Sequence, residues 1–440
     1  MKKKFNNNLT GQKLWKKAKK IIPGGNMLLS KRPEMFLPDK WPTYFSKAKG
    51  CKVWDLDGNE YIDISSMGVG TNILGYGNDH VDKAVSEVVS KGNLSTLNCP
   101  EEVYLAEKLI EMHTWAEMVK FARTGGEANA IAIRIARAAS GKDKVAFCGY
   151  HGWHDWYISA NINNVENLNN HLIKNLEAAG VPKSLKETSF PFSYNSFNEL
   201  KKITDYNDIG VIKMEVFRNE EPKNEFLKKV RDLATEKNII LIFDECSSGF
   251  RKTFGGLHKH YKVEPDMALF GKTLGNGYGI SAIIGKRSIM ETAQDTFISS
   301  TFWSERIGPA AALKTLEIMK QKESWKIVTS KGKKIENFWN EIKNKYNLKI
   351  HTQGQPAMTN FYIDSPNWVK YKTYITQEML KKGFLANNAV NVCTEHDENI
   401  LSEYYEQIDP IFKTISDCEN GKSIDKLLEV PVCHTKQERI

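Results

Sequence analysis

The chain has 440 residues, 41% of them hydrophobic, and a formal net charge of +9, a length that buries a large core and suits two domains. No apolar run approaches the roughly 18 residues of a membrane-spanning helix, and no basic stripe is interleaved with aromatics as on a nucleic-acid surface, so neither a membrane nor a nucleic acid is expected as a partner. The seven cysteines form no CxxC pair, and no His or acidic set has metal-ligand spacing. A disulfide framework or a bound metal is therefore not expected, and the cytoplasm is the default compartment.

The first element is basic, with Lys13, Lys16, Lys17, Lys19 and Lys20 close together. No apolar run follows, so it is expected to be a solvated amphipathic helix and not a secretory signal. Next, Gly50–Ile64 places the turn DLDGNE between two β-rich runs, which predicts a hairpin. From about Met118, short apolar runs alternate with helical stretches, the pattern of βαβ units and a mostly parallel sheet. The predicted strands are Met118–Ala122, Lys144–Cys148, Gly210–Met214, Asn238–Phe243 and Met267–Phe270. Each is followed at once by polar or glycine-rich sequence. Ligands of open α/β sheets bind beyond the carboxyl ends of the strands, so these stretches are expected to meet along one edge. In the tail, Gly354–Ile363 and Phe384–Cys393 are possible strands, and Ile400–Ile415 carries a helical apolar stripe. The domains expected are 1–75 with 326–440 as a smaller α+β domain, and 76–325 as a large sheet domain.

The strand ends carry the chemistry. Thr124-Gly125-Gly126 opens a helical run after the first strand, and a helix start with two glycines leaves N–H groups open to an anion such as phosphate. Asp244 ends the apolar run IILIF; a carboxylate there needs a partner, which is either the next turn or a protonated heterocyclic nitrogen. Lys272 ends another strand between glycines, where burial favours the neutral amine that forms an imine. Tyr150 supplies an aromatic face at a further strand end. A phosphate cup, an aromatic face, an acid for a ring nitrogen and an amine are together what pyridoxal 5′-phosphate (PLP) requires.

Over almost its whole length the chain resembles the class III aminotransferases of PLP fold type I, and within them the glutamate-1-semialdehyde 2,1-aminomutase branch. The segments that carry the resemblance are IPGG, KGCKVWDLDGNEYID, FARTGGEANAIAIRIAR, GYHGWHD, FDECSSGFR, FGKTLGNGYGISAIIG and SSTFWSERIGPAAALKTLE. It implies an α/β fold with a large, mostly parallel, seven-stranded type of sheet plus the smaller domain. It implies Lys272 as the Schiff-base lysine, Asp244 on the pyridine nitrogen, Tyr150 stacked on the ring and Cys246 against the other face. The phosphate would be held by Thr124, Gly125 and Gly126, and by Thr301 from the neighbouring subunit of a homodimer. The family exchanges an amino group between a small-molecule donor and a carbonyl acceptor.

The aminomutase pattern is altered at Asn276, Tyr278 and Gly279, and again at Trp303-Ser304-Glu305-Arg306. These departures lie where substrate would sit and move the expected substrate away from glutamate 1-semialdehyde. The expected function is a transaminase, with an intramolecular aminomutase as the alternative. Arg32, Trp303 and Arg306 are the candidate substrate contacts, an arginine being suited to clamp a carboxylate. Arg251 is expected to pair with Glu215 or Glu245, and His151, beside Tyr150, to act through a neighbouring residue and not as an acid or base.

Overall fold

The computed structural model describes residues 9–435. It divides into two compact units, one running to Asn78 and resuming at Ile327, the other spanning Asp79–Lys326. The second boundary falls inside the helix Ser324–Lys345.

In the first unit the basic stretch forms the helix Thr10–Ile21, which buries Gly11, Trp15 and Ala18 and leaves most of its lysines in solvent. Strands β1 (Phe45–Lys49), β2 (Lys52–Asp55) and β3 (Glu60–Asp63) form an antiparallel meander. The expected hairpin is its β2–β3 half. Asp55 closes the turn by accepting from the N–H groups of Asp57 (2.9 Å) and Asn59 (2.8 Å), and Gly58 takes φ 80°, a conformation that glycine adopts at least cost.

The large unit is built on strands β4 (Met118–Ala122), β5 (Lys144–Cys148), β6 (Ser189–Pro191), β7 (Ile209–Glu215), β8 (Ile240–Asp244), β9 (Met267–Phe270) and β10 (Ser281–Gly285). They form one seven-stranded sheet in the order β4-β10-β9-β8-β7-β5-β6. Only β10 runs antiparallel to its neighbours. Every residue of β7 and β8 is buried, as expected of strands covered on both faces. Strand β8 starts two residues later than the sequence suggests because Asn238 adopts φ 52° and belongs to the preceding turn. Two strands escaped the sequence reading. Strand β6 has three residues and contains Pro191 at an edge, and β10 lies close behind a glycine-rich loop.

The register decides where the chemistry falls. Strands β7 and β8 pair with Glu215 opposite Asp244 and Lys213 opposite Ile242, while β5 sets Phe147 against Lys213. The carboxyl ends of β5, β7, β8 and β9 therefore lie along one edge. Strand β4 ends beside Ser281, the first residue of β10, so its end joins that edge too.

In the tail, Gly354–Ile363 is not one strand but the turn and second half of a hairpin. Strand β11 (Ile350–Gln355) pairs with β12 (Met358–Ile363) across Pro356-Ala357. The run Phe384–Cys393 is split between two sheets: β13 (Phe384–Leu385) lies parallel to β3, and β14 (Ala389–Asn391) pairs with β12. The helix Glu398–Glu419 buries Leu401, Tyr404, Ile408, Ile411, Phe412 and Ile415, so the apolar stripe is core.

Candidate active site

The helix Gly125–Ser140 begins at the end of β4 with Thr124 as N-cap. The Thr124 hydroxyl accepts from the Glu127 N–H (3.3 Å), and Glu127 Oε2 accepts from the Thr124 N–H (2.8 Å) and the Arg123 N–H (3.0 Å). This reciprocal box fixes the helix start. The N–H groups of Gly125 and Gly126 belong to the first turn, which has no intrahelical acceptor. A Cβ at Gly126 would stand 3.3 Å from the His154 ring, and one at Gly125 would stand 3.7 Å from Cys246 Sγ. The two glycines thus let the loop after β5 and the loop after β8 close on the helix start.

Asp244, at the end of β8, is buried. Its Oδ2 accepts from His151 Nδ1 (2.8 Å) and Lys213 Nζ (3.2 Å), and its Oδ1 from the Cys246 N–H (3.1 Å). Burial alone would raise its proton affinity; the Lys213 charge and the His151 hydrogen bond outweigh it and hold the carboxyl well below the usual range. Burial, reinforced by Lys213, pushes His151 down to about 4, and its other nitrogen, Nε2, lies 3.2 Å from the Cys148 carbonyl. Three donors occupy a carboxylate that offers about four acceptor positions, which leaves room for one more N–H.

Lys272 follows β9 and Gly271 with φ 41°, a left-handed backbone that costs a non-glycine residue on the order of 1 kcal/mol and is found at functional sites. Its Nζ donates to Ser247 Oγ at 2.6 Å. The Ser247 carbonyl in turn accepts from the buried Arg251 Nε at 2.6 Å. Burial and the Arg251 charge hold the Lys272 ammonium below the ordinary lysine range, so more of it is the nucleophilic amine at neutral pH. Cys246 lies between the two glycine segments, with its Sγ 3.4 Å from where a Cβ on Gly271 would stand. Burial pushes its thiol up, and it is a neutral, polarizable surface.

Tyr150 is 44% exposed, and its backbone N–H donates to Glu215 Oε2 (3.1 Å). Glu215 is paired with Arg218 at 2.7 Å. The Glu245 carboxylate accepts from His258 Nδ1 (2.8 Å), Ser248 Oγ (2.6 Å) and the Leu257 N–H (2.9 Å). Glu215 and Glu245 each hold these partners, and Arg251 Nε donates to the Ser247 carbonyl. His151 is hydrogen-bonded to the Asp244 carboxylate.

The segment Asn161–Gly180 is tied to this edge. The Gly149 N–H donates to His171 Nδ1 (3.1 Å), and Arg218 donates to the carbonyls of Asn170 (3.1 Å) and His171 (2.9 Å).

The remaining candidates fall in three places. Trp303 reaches the helix start, donating from Nε1 to Glu127 Oε1 at 3.2 Å. Arg306 is committed to Glu101 through two bonds of 3.1 and 2.6 Å, which takes up the fork expected to clamp a substrate carboxylate. Thr301 is exposed at the start of a short 3₁₀ turn. Arg32 belongs to the other unit, where it sits beside Gly24.

An anion-binding helix start, a carboxylate with a spare acceptor position and a buried amine make a donor set that fits pyridoxal phosphate. Sequence reasoning missed Lys213, Ser247 and Arg123. Of these, only Lys213 left a signal, as the one charged residue inside the apolar run GVIKM. Among the described residues, no group of three His, Cys, Asp or Glu side chains is placed to hold a metal ion, and no helix is long and apolar enough to cross a membrane.

The family model "Aminotransferase class-III" matches residues 38–418. The chain is 36% identical to the 3-aminobutyryl-CoA aminotransferase of Cloacimonas acidaminovorans (strain Evry), over 90% of this chain and 94% of the relative. It is 30% identical to the glutamate-1-semialdehyde 2,1-aminomutase of Methanocaldococcus jannaschii, over 91% and 97%. Its fold matches the FumI protein of Sphingopyxis sp. MTA144, solved in its PLP internal aldimine form, with a TM-score of 0.83 at 24% identity, over 95% and 99% of the two chains.

Proposed function

The chain belongs to the class III aminotransferases, which are PLP-dependent enzymes, and from that premise we propose that it is a transaminase whose working amine is Lys272. The observation that carries this reading is the Lys272 ammonium, held below its ordinary range by burial and Arg251, on the same sheet edge as Asp244 and the Gly125-Gly126 helix start.

When bound, pyridoxal phosphate supplies an aldehyde for the donor's amino group and a ring that accepts electron density from the donor carbon. The residues that would hold it are Lys272 at the aldehyde, Asp244 at the ring nitrogen, Tyr150 and Cys246 on the ring faces, and the Thr124–Gly126 turn at the phosphate. Lys272 Nζ would hold the cofactor at its aldehyde. Freed, the amine is a general base that takes a proton from the donor carbon and returns one on the other side of the exchange. Its depressed proton affinity suits both directions near neutral pH. Lys213 and His151 favour the charged form of Asp244. Ser247 Oγ, which accepts from the free Lys272 amine, would orient that amine once it is released.

We propose that the enzyme is a homodimer in which Thr301 of each subunit reaches the other subunit's phosphate site. The exposed Phe297 and Phe302 that flank Thr301 support an interface there. All seven cysteines are unpaired, which supports a reducing, cytoplasmic setting. The similarity to the Cloacimonas relative puts an amine on the β-carbon of an acyl thioester first among donors.

The test is a half-reaction. Purified holoenzyme is mixed with one amino donor and no acceptor, and the visible absorbance of the cofactor is followed. Bleaching by 3-aminobutyryl-CoA or a simple β-amino acid, with release of the keto product, supports the transaminase. Turnover of glutamate 1-semialdehyde without a second substrate would establish the aminomutase instead.

A further inference from the structure

Lys213 is the outlier of the large sheet. It stands inside β7, fully buried, with Phe147 and Ile242 as its cross-strand neighbours. A buried ammonium is costly, and replacing a buried ion pair by apolar side chains is often neutral or stabilising. An aliphatic residue would fill this strand position with less penalty, so packing does not account for the lysine. What it touches does: its Nζ lies 3.2 Å from Asp244 Oδ2, the same oxygen that accepts from His151.

We infer that Lys213 is a positioning residue that shares the negative charge of Asp244, and so weakens the hold of that carboxylate on a proton at the cofactor's ring nitrogen. This rests on the reading of Asp244 as the ring-nitrogen partner. The physical argument is charge counting around one carboxylate. A ring N–H⁺ at the remaining acceptor position of Asp244 would be the second cation on a single buried anion. A like charge that close disfavours the protonated form by roughly 1 to 3 pKa units. The other groups around Asp244 do not cancel this. Burial disfavours a charge on His151, and Cys246 offers its N–H. Glu215 stands opposite in the register but is paired with Arg218. Lys272 and Tyr150 also face this carboxylate. The consequence is a ring that draws electrons less strongly than one held by an unshared carboxylate, with a smaller share of its charge fixed at the nitrogen.

The experiment uses pyridoxal phosphate labelled with ¹⁵N in the ring, loaded into the wild type and into Lys213→Met, Lys213→Gln and Lys213→Arg. The nitrogen resonance is followed against pH, with melting temperatures measured alongside. In Met and Gln the resonance is expected to move toward the protonated position, and its titration to rise by about one unit, roughly tenfold in proton affinity. Arg is expected to stay with the wild type. The inference is overturned if the neutral variants give the wild-type resonance, if Arg moves as far as they do, or if neither neutral variant folds, which would make Lys213 a purely structural residue. If the wild type takes up no cofactor, the site reading falls and this inference with it. If every protein takes it up with one common resonance, only the inference about Lys213 falls.

Discussion

Arg123 is the residue on which the front of the site depends, and replacing it by Met isolates that role, because Met keeps most of the apolar stem. The guanidinium donates to the carbonyls of Trp303 and Glu305, each at 2.9 Å, and pairs through Nε with Glu305 Oε1 at 2.8 Å. Both side chains of the pair are mostly buried, at 14% and 11% exposure. Glu305 also accepts from the N–H groups of Ile307 (2.6 Å) and Gly308 (3.0 Å), the first turn of the helix Ile307–Lys322. A hydrogen bond from a charged donor contributes roughly 1.5–3 kcal/mol; the variant loses these two and a longer, weaker one to the Ala122 carbonyl at 3.3 Å, and the side-chain entropy it regains offsets part of the loss. The net expectation is a loss of about 2–4 kcal/mol. The effect should extend to the cofactor, since the Trp303 carbonyl loses its donor while Trp303 Nε1 bonds Glu127, in the box that sets the Gly125-Gly126 turn. Urea unfolding followed by tryptophan fluorescence, together with pyridoxal phosphate affinity from equilibrium dialysis, reads both effects. Arg306→Met is the control: it breaks a closer pair, 2.6 Å, but a more exposed one, and is expected to cost about 1 kcal/mol or less. If Arg123→Met loses under about 1 kcal/mol and binds cofactor like the wild type, the reasoning about this clamp is wrong.

Lys272→Ala is expected to keep its fold but to lose its cofactor on dialysis against buffer, whereas the wild type retains it; equal retention by the two proteins would refute the role given to Lys272. His113, His151, His171 and His396 are each pushed by burial from 6.5 to about 4. The unfolded chain therefore binds more protons than the fold does between those values, and stability falls as pH drops from 6.5 toward 4, by up to about 3 kcal/mol per histidine. A melting temperature that stays flat from pH 7 to pH 4.5 would contradict this. Gly332→Ala sets helix propensity against packing. The swap gains about 1 kcal/mol in an open helix, but the new Cβ would stand 1.8 Å from the Pro356 carbonyl oxygen. Overpacking costs roughly 1–3 kcal/mol or more, and a backbone atom cannot rotate away. The variant is expected to unfold at lower urea than the wild type, and a rise in the midpoint would show that the hairpin moves freely.

The strands that carry the site were legible because a parallel sheet covered on both faces demands uninterrupted apolar runs. Lys144–Cys148 and Met267–Phe270 have the bounds that hydrophobicity alone suggests, and so has Met118–Ala122, although it carries Lys120 and pairs antiparallel with β10. The polar residue that ends such a run is conspicuous, and so Asp244, Lys272 and the Thr124–Gly126 turn stand out from one dimension. Short or two-faced strands do not announce themselves, which is why β6, β10 and the split of Phe384–Cys393 needed the fold. So did every partnership between strands. That Asp244 holds Lys213 and His151 follows from register between β7 and β8 and from the loop after β5. That Arg306 serves Glu101, and that Arg123 binds the Trp303 segment, depends on residues about two hundred positions apart. Sequence periodicity reports burial, a local property of each residue. Which charge meets which is set by strand order and register, and only the tertiary structure decided those.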